Sequence, residues 1–228
     1  TNEEDLILIK NNLPGHPKLL SFLNWAQCKE MLDHQISFGS HTKTHANLAG
    51  MSPVEIEKEL LESKLIIEEK LQLPECLALG ECGLDKHIEI PMALQIKVFE
   101  KQIALAEKYQ KPLVLHLVAA HQELVEIKNR LNVSVPIILH GFSKNEQIAK
   151  QMIDNGFYLS FGKYLLRNPE LREVFLSVPN DRFFLETDTI EETLEEVYTL
   201  AAQYKGITME ALQTQVEANW KQVFIDFQ

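Results

Sequence analysis

The sequence predicts a TIM-like (β/α) barrel, with parallel strands inside and helices outside, irregular or incomplete at its N-terminal seam. Three observations predict it. Short apolar runs alternate with amphipathic runs, strand then helix, five times over the C-terminal two-thirds of the chain. The repeats have the length of β/α units. Glu81, His116, His140 and Asp188 each fall at, or just beyond, the end of a predicted strand. A barrel gathers the C-terminal ends of its strands at one mouth, so residues far apart in sequence become neighbours there.

Each element has a local cause. Leu77–Gly80 reads as a buried strand ending at glycine. Pro91 to Tyr109 repeats apolar residues at helical spacing, through Leu94, Val98, Ile103, Leu105 and Ala106. Pro112–Leu117 is the second strand and Gln122–Asn129 a helix. Val135–His140 is the third strand. Ser143 and Glu146 have capping-box spacing and open a helix to Asn155, with Gly156 closing it. Phe157–Phe161 and Arg182–Thr187 are the fourth and fifth strands. Helices follow from Ile190 to Tyr204 and within Thr208–Ile225.

The N-terminal third is patterned differently. Leu19–Leu32 reads as helix, Gln35–Gly39 as a short strand and Asp5–Lys10 as a further strand. Ser52 and Glu55 form a capping box, with Pro53 at the first helical position, and open a helix to about Leu71.

Composition excludes some functions. The 228 residues are 45% hydrophobic and 24% charged, ordinary for a globular chain. A net charge of −11 argues against broad electrostatic capture of nucleic acid. It leaves room for an acidic pocket that recruits cations, which then face a phosphate oxygen. The three cysteines match no common zinc motif, so a reduced, cytoplasmic protein is expected. Cys82 beside Glu81 reads as a packing residue. Thr1–Asp5 is polar and acidic, unlike a signal peptide, and no apolar stretch is long enough to span a bilayer. No membrane association and no protein partner are expected.

Four segments carry the chemistry, in this order: Ala78–Asp85 (ALGECGLD), Pro112–His116 (PLVLH), Ile138–Ser143 (ILHGFS) and Phe184–Asp188 (FLETD). Together they resemble the TatD family of metal-dependent hydrolases, associated with deoxyribonuclease activity. Phe157–Gly162 and Asn219–Phe224 fit the same pattern, so the resemblance covers about residues 73–227. It implies hydrolysis of phosphodiester bonds in DNA or a small phosphodiester, with one or two divalent ions of Zn, Mn or Mg. By that resemblance Glu81 bridges the ions and His116 and His140 bind one of them. Asp188 binds the other and takes a proton from the attacking water, which makes Glu81 and Asp188 the catalytic candidates. Glu186 lies two residues before Asp188, on the same face of the strand, as a candidate supporting partner. Asp85 and Lys86, on the loop after Glu81, are candidate substrate contacts.

The family's first strand carries a His-x-His pair, and this chain contains none. The expectation is impaired activity. In its place Leu23–Trp25 and Gln35–His45, the latter reading QISFGSHTKTH, resemble a NodB-type polysaccharide deacetylase over about residues 19–72. That resemblance implies zinc at His41 and His45. The expected organisation is one barrel domain over residues 1–228, made of a deacetylase-like segment (1–72) and a TatD-like segment (73–228), in the manner of a chimera. Two alternatives follow: a zinc-dependent deacetylase using His41 and His45, or a non-catalytic barrel scaffold.

Overall fold

The computed structural model describes residues 67–187, 193–225 and 227. The helix, strands and capping box expected before residue 67 lie outside the described residues, as do His41, His45 and Asp188. Residues 67–71 are helical, so the helix expected to end near Leu71 does so.

Five strands follow: β1 (Leu79–Asp85), β2 (Leu113–Val118), β3 (Ile137–Leu139), β4 (Tyr158–Phe161) and β5 (Phe183–Leu185). They lie side by side in chain order, and all four pairings are parallel. A doubly wound sheet would break that order at a switch point. Unbroken order, with right-handed crossovers, puts the connecting helices on one side. This is the wall of an α/β barrel, as expected.

The connections are α1 (Met92–Tyr109), α2 (His121–Leu131), α3 (Glu146–Asp154), then two short helices, α4 (Lys163–Arg167) and α5 (Leu171–Ser177). After β5 come α6 (Leu194–Lys205) and α7 (Met209–Trp220), which widens into a π-helical turn over Lys221–Ile225. No helix among the described residues is long and apolar enough to cross a membrane.

In β4 and β5 side chains alternate between the two faces of the sheet. Phe161 and Phe183 point at the helices, where the ring of Phe175 on α5 meets them edge-on at 5.2 and 5.0 Å. Ser160 of β4, and Glu186 just beyond β5, therefore point to the opposite face.

Several boundaries differ from expectation. The first strand was expected to stop at Gly80, but β1 runs to Asp85. Cys82 and Leu84 are buried and alternate with more open positions, and this half of the strand pairs with Leu115 to Val118 of β2. The pairing register shifts between Leu79 and Cys82, so Glu81 sits in an irregularity inside the strand and Asp85 at its end. The expected Ser143 capping box does not open α3. Asn145 does, its side chain accepting from the Ile148 N–H at 3.0 Å. Asparagine caps at least as well as serine, and this choice places Glu146 in the first turn, where the helix dipole favours it. Gly156 closes α3 with φ +80° in a Schellman arrangement: Phe157 N–H reaches Met152 O (3.1 Å) and Gly156 N–H reaches Ile153 O (2.9 Å). Helix α6 starts at Leu194 rather than Ile190, because Thr193 and Glu196 form a reciprocal capping box.

Two polar anchors fix strand positions. Glu107 on α1 accepts from Ser134 N–H (2.6 Å), Ser134 Oγ (2.8 Å) and Val135 N–H (3.0 Å), tying down the loop that leads into β3. Asn219 on α7 is 1% exposed. Its amide donates to Asn180 O and Phe183 O, both at 2.8 Å, and so holds the start of β5.

Replacing Asn219 with alanine leaves two backbone carbonyls without their donor, and equilibrium denaturation should show a loss of about 1–3 kcal/mol. Burial would raise the Glu107 carboxyl, but the bonds from Val135 and Ser134 outweigh it and hold the group below its ordinary value of 4.5. A carboxyl lowered in the folded state stabilises above its unfolded value, and that contribution fades as pH falls through the folded value. Glu107→Gln should therefore be less stable than the parent at pH 6, and its stability should fall less steeply between pH 5 and 3. Parallel stability–pH curves for the two proteins would contradict this.

Candidate metal centre

Parallel register delivers three side chains to one edge. Glu81 comes from the irregular part of β1, His116 from the C-terminal half of β2, and His140 immediately follows β3. The register pairs Gly83 with His116, and His140 N–H donates to Leu115 O at 3.1 Å, which ties the ends of the first three strands together. At Gly83 a β-carbon would lie 2.0 Å from the His116 carbonyl oxygen, so only glycine permits this approach of β1 to β2.

One donor atom from each of Glu81, His116 and His140 lies within 4.8 Å of the others. His116 Nδ1 is 3.2 Å from His140 Nε2, and Glu81 Oε2 is 3.4 Å from the same Nε2. Two ligands on one tetrahedral cation, with bonds of about 2.0–2.2 Å, stand about 3.3–3.5 Å apart. The spacing and the donor types, a carboxylate and two imidazoles, fit a divalent transition ion. The His140 side chain is 12% exposed, whereas His116 and Glu81 are 51% and 45% exposed, so the cluster is anchored at His140 and opens to solvent past the other two.

Glu186 lies beneath His140. Its Oε1 accepts Gly141 N–H at 2.8 Å and stands 3.6 Å from His140 Nδ1, while Oε2 accepts a short hydrogen bond from Ser160. A β-carbon at Gly162 would come within 2.9 Å of both Glu186 Cγ and its carbonyl oxygen, so glycine makes room for this side chain.

Asp85 ends β1 rather than sitting on the loop beyond it. Its Oδ1 accepts His87 N–H at 2.7 Å, and Oδ2 stands 3.8 Å from His116 Nε2. Buried Gln95 of α1 grips the same turn. It accepts Asp85 N–H and donates to the Asp85 and Ile90 carbonyls, each at 2.8 Å. Lys86 follows, its ammonium 2.6 Å from Glu123 Oε1. That bond holds the Glu123 carboxyl below its ordinary value, while burial, with Lys144 and Lys86 nearby, lowers the His121 imidazole. Burial pushes the Cys82 thiol up to about 12, and the Glu81 charge adds to the shift. Cys82 is a packing residue with no thiolate to offer near neutral pH.

The structure thus brings together Glu81, His116 and His140, with Asp85 and Glu186 against the imidazoles. Sequence reasoning missed Ser160, Gln95 and the glycines that admit Glu186 and His116. Ser160 had a readable signal: a lone hydroxyl in an apolar strand must find a partner once buried.

Comparison with known proteins gives these features a family. The chain is 37% identical over 112 residues to the uncharacterized metal-dependent hydrolase YabD of Bacillus subtilis, a match covering 47% of this chain and 44% of that protein. It is 30% identical over 114 residues to the 3'-5' ssDNA/RNA exonuclease TatD of Salmonella typhimurium, covering 47% of this chain and 44% of that one. These matches span under half the length of each relative. Among solved structures, the TatD homologue YjjV of Escherichia coli K12 superposes with a TM-score of 0.67 at 21% identity, over 82% of this chain and 75% of that one. A TatD family hydrolase of Entamoeba histolytica gives 0.66 at 18% identity, over 75% and 70%. At such identities these two likenesses speak for the fold. The family described as TatD related DNase matches residues 40–225, starting well before the expected boundary at residue 73 and taking in residues 40–72 of the segment expected to be deacetylase-like, His41 and His45 included; nothing bears out the deacetylase or chimera expectation. With most of its length inside that match, the chain belongs to the TatD related DNase family.

Proposed function

We propose that the chain is a metal-dependent hydrolase of phosphodiester bonds, with single-stranded nucleic acid as substrate and Glu81, His116 and His140 as the ligands of one divalent ion. The observation that carries this reading is the convergence of those three donors at the C-terminal edge of the sheet, where barrel enzymes keep their chemistry. The Salmonella relative, named as a 3'-5' ssDNA/RNA exonuclease, supplies the substrate class.

Glu81, His116 and His140 would hold a divalent cation, which when bound would neutralise charge on phosphoryl oxygens and make water a better nucleophile. The protein residues do the rest. His140, nearly enclosed, anchors the site, while His116 and Glu81 face the side from which substrate enters. Lys86, 41% exposed at the rim, is placed to exchange Glu123 for a substrate phosphate. Asp188, outside the described residues, follows Glu186 by two in sequence and takes the proton from an attacking water in this reading. The local acidity of the site, rather than a basic surface, suits a chain of net charge −11. Only a strand end passing the mouth needs to be held.

The test is release of nucleotides from a single-stranded DNA oligonucleotide with Mn²⁺ or Mg²⁺ added. Turnover should be slow and metal-dependent, because no His-x-His pair is present to complete a second site. Glu81→Gln and His140→Ala should each abolish it, and both should lose the bound ion on elemental analysis. Turnover that survives in both variants, or that needs no metal, would overturn the assignment. A chain that retains no metal at all would point to the non-catalytic scaffold.

A further inference from the structure

We infer that Asp85 and Glu186 are a matched pair of positioning residues, which hold the two imidazoles in opposite tautomers so that both present a lone pair to one point. The inference rests on the cation-binding reading above and gives Asp85 a role other than substrate contact.

The two rings are turned differently. His140 offers Nε2 to the cluster and His116 offers Nδ1, the two atoms 3.2 Å apart. Each ring's other nitrogen faces a carboxylate: His140 Nδ1 stands 3.6 Å from Glu186 Oε1, and His116 Nε2 stands 3.8 Å from Asp85 Oδ2. A neutral imidazole carries one N–H and one lone pair, and the partner of one nitrogen decides which the other keeps. A carboxylate accepts only, so it draws the N–H to its own side. Glu186 therefore selects the Nδ1–H form of His140, and Asp85 selects the Nε2–H form of His116. With a cation between them, both inner nitrogens present lone pairs to it; without it, their 3.2 Å separation is that of a hydrogen bond whose donor depends on the tautomer.

Both carboxylates are fixed independently of the rings they face. Glu186 is pinned by Gly141 N–H and the Ser160 hydroxyl, in a space that Gly162 leaves open. Asp85 is pinned by His87 N–H on its other oxygen, and Gln95 clamps its backbone on both sides. Separations of 3.6 and 3.8 Å exceed a hydrogen bond, and such contacts commonly tighten only when the site is filled. Carboxylate support of a ligating imidazole raises its basicity and fixes its orientation, and losing it typically lowers metal affinity about 10–100-fold.

The experiment measures Zn²⁺ affinity by chelator competition in the full chain, together with the unfolding midpoint, for the parent, Glu186→Gln, Asp85→Asn and His140→Ala. The amide replacements keep shape and an acceptor but remove the charge, so a merely structural role would leave affinity unchanged. Expected are affinity losses of about 10–100-fold in Glu186→Gln and Asp85→Asn with unchanged midpoints, and no measurable binding in His140→Ala. Ring ¹⁵N spectra of the Zn²⁺-bound parent should show His140 coordinated through Nε2 and His116 through Nδ1. Parent-like affinity in both amide variants, with binding lost in His140→Ala, would overturn the positioning role and leave the metal site standing. Parent-like affinity in His140→Ala would overturn both. Coordination through the opposite nitrogens would also overturn the pairing.

Discussion

Parallel pairing in chain order is the constraint from which the rest of the structure follows. Four successive parallel ladders align the strands head to head, so every strand ends at the same edge. Glu81, His116 and His140 are separated by 35 and 24 residues in sequence, yet one register brings them within a cation's reach. No local interaction among the three could do this. The sheet that carries them is fixed by packing elsewhere: Phe175 wedged against Phe161 of β4 and Phe183 of β5, Glu107 holding the entry to β3, Asn219 holding the entry to β5.

Glu186 shows how the scaffold and the site are coupled. Its backbone N–H donates to Phe161 O, which continues the β4–β5 ladder past its last paired residues. Its side chain then crosses to Ser160 and to Gly141, next to His140. One residue thus links the ends of β3, β4 and β5. A metal ligand on a free rotamer must be ordered when the ion binds, at a cost in affinity. Around His140, 12% exposed, part of that ordering comes with the fold.

Much of this was legible in the sequence, for physical reasons that can be named. The five strands stood out because apolar runs such as Pro112–Leu117 are short and bounded by glycine, proline or histidine, while Pro91–Tyr109 has helical spacing throughout. The cluster of Glu81, His116 and His140 stood out because three polar residues of ligand type each close an apolar run. Less legible was the extent of β1. Gly80, Glu81 and Gly83 look like turn residues, and only the burial of Cys82 and Leu84 against β2 shows the strand continuing. The start of α3 is less legible too: Ser143 and Glu146 have capping-box spacing, yet Asn145 takes the cap. The short helices α4 and α5 have too few turns for a periodic signal. Asp85 and Glu186 could be numbered from the sequence, but which ring nitrogen each one faces is a tertiary fact.

The central claim is that one cation sits among Glu81, His116 and His140. It is tested most directly by anomalous diffraction from crystals of the full chain soaked in Zn²⁺. An anomalous peak is expected within bonding distance of a Glu81 carboxylate oxygen, His116 Nδ1 and His140 Nε2. A soaked crystal with no peak there, or with its strongest peak at His41 and His45 instead, would contradict it.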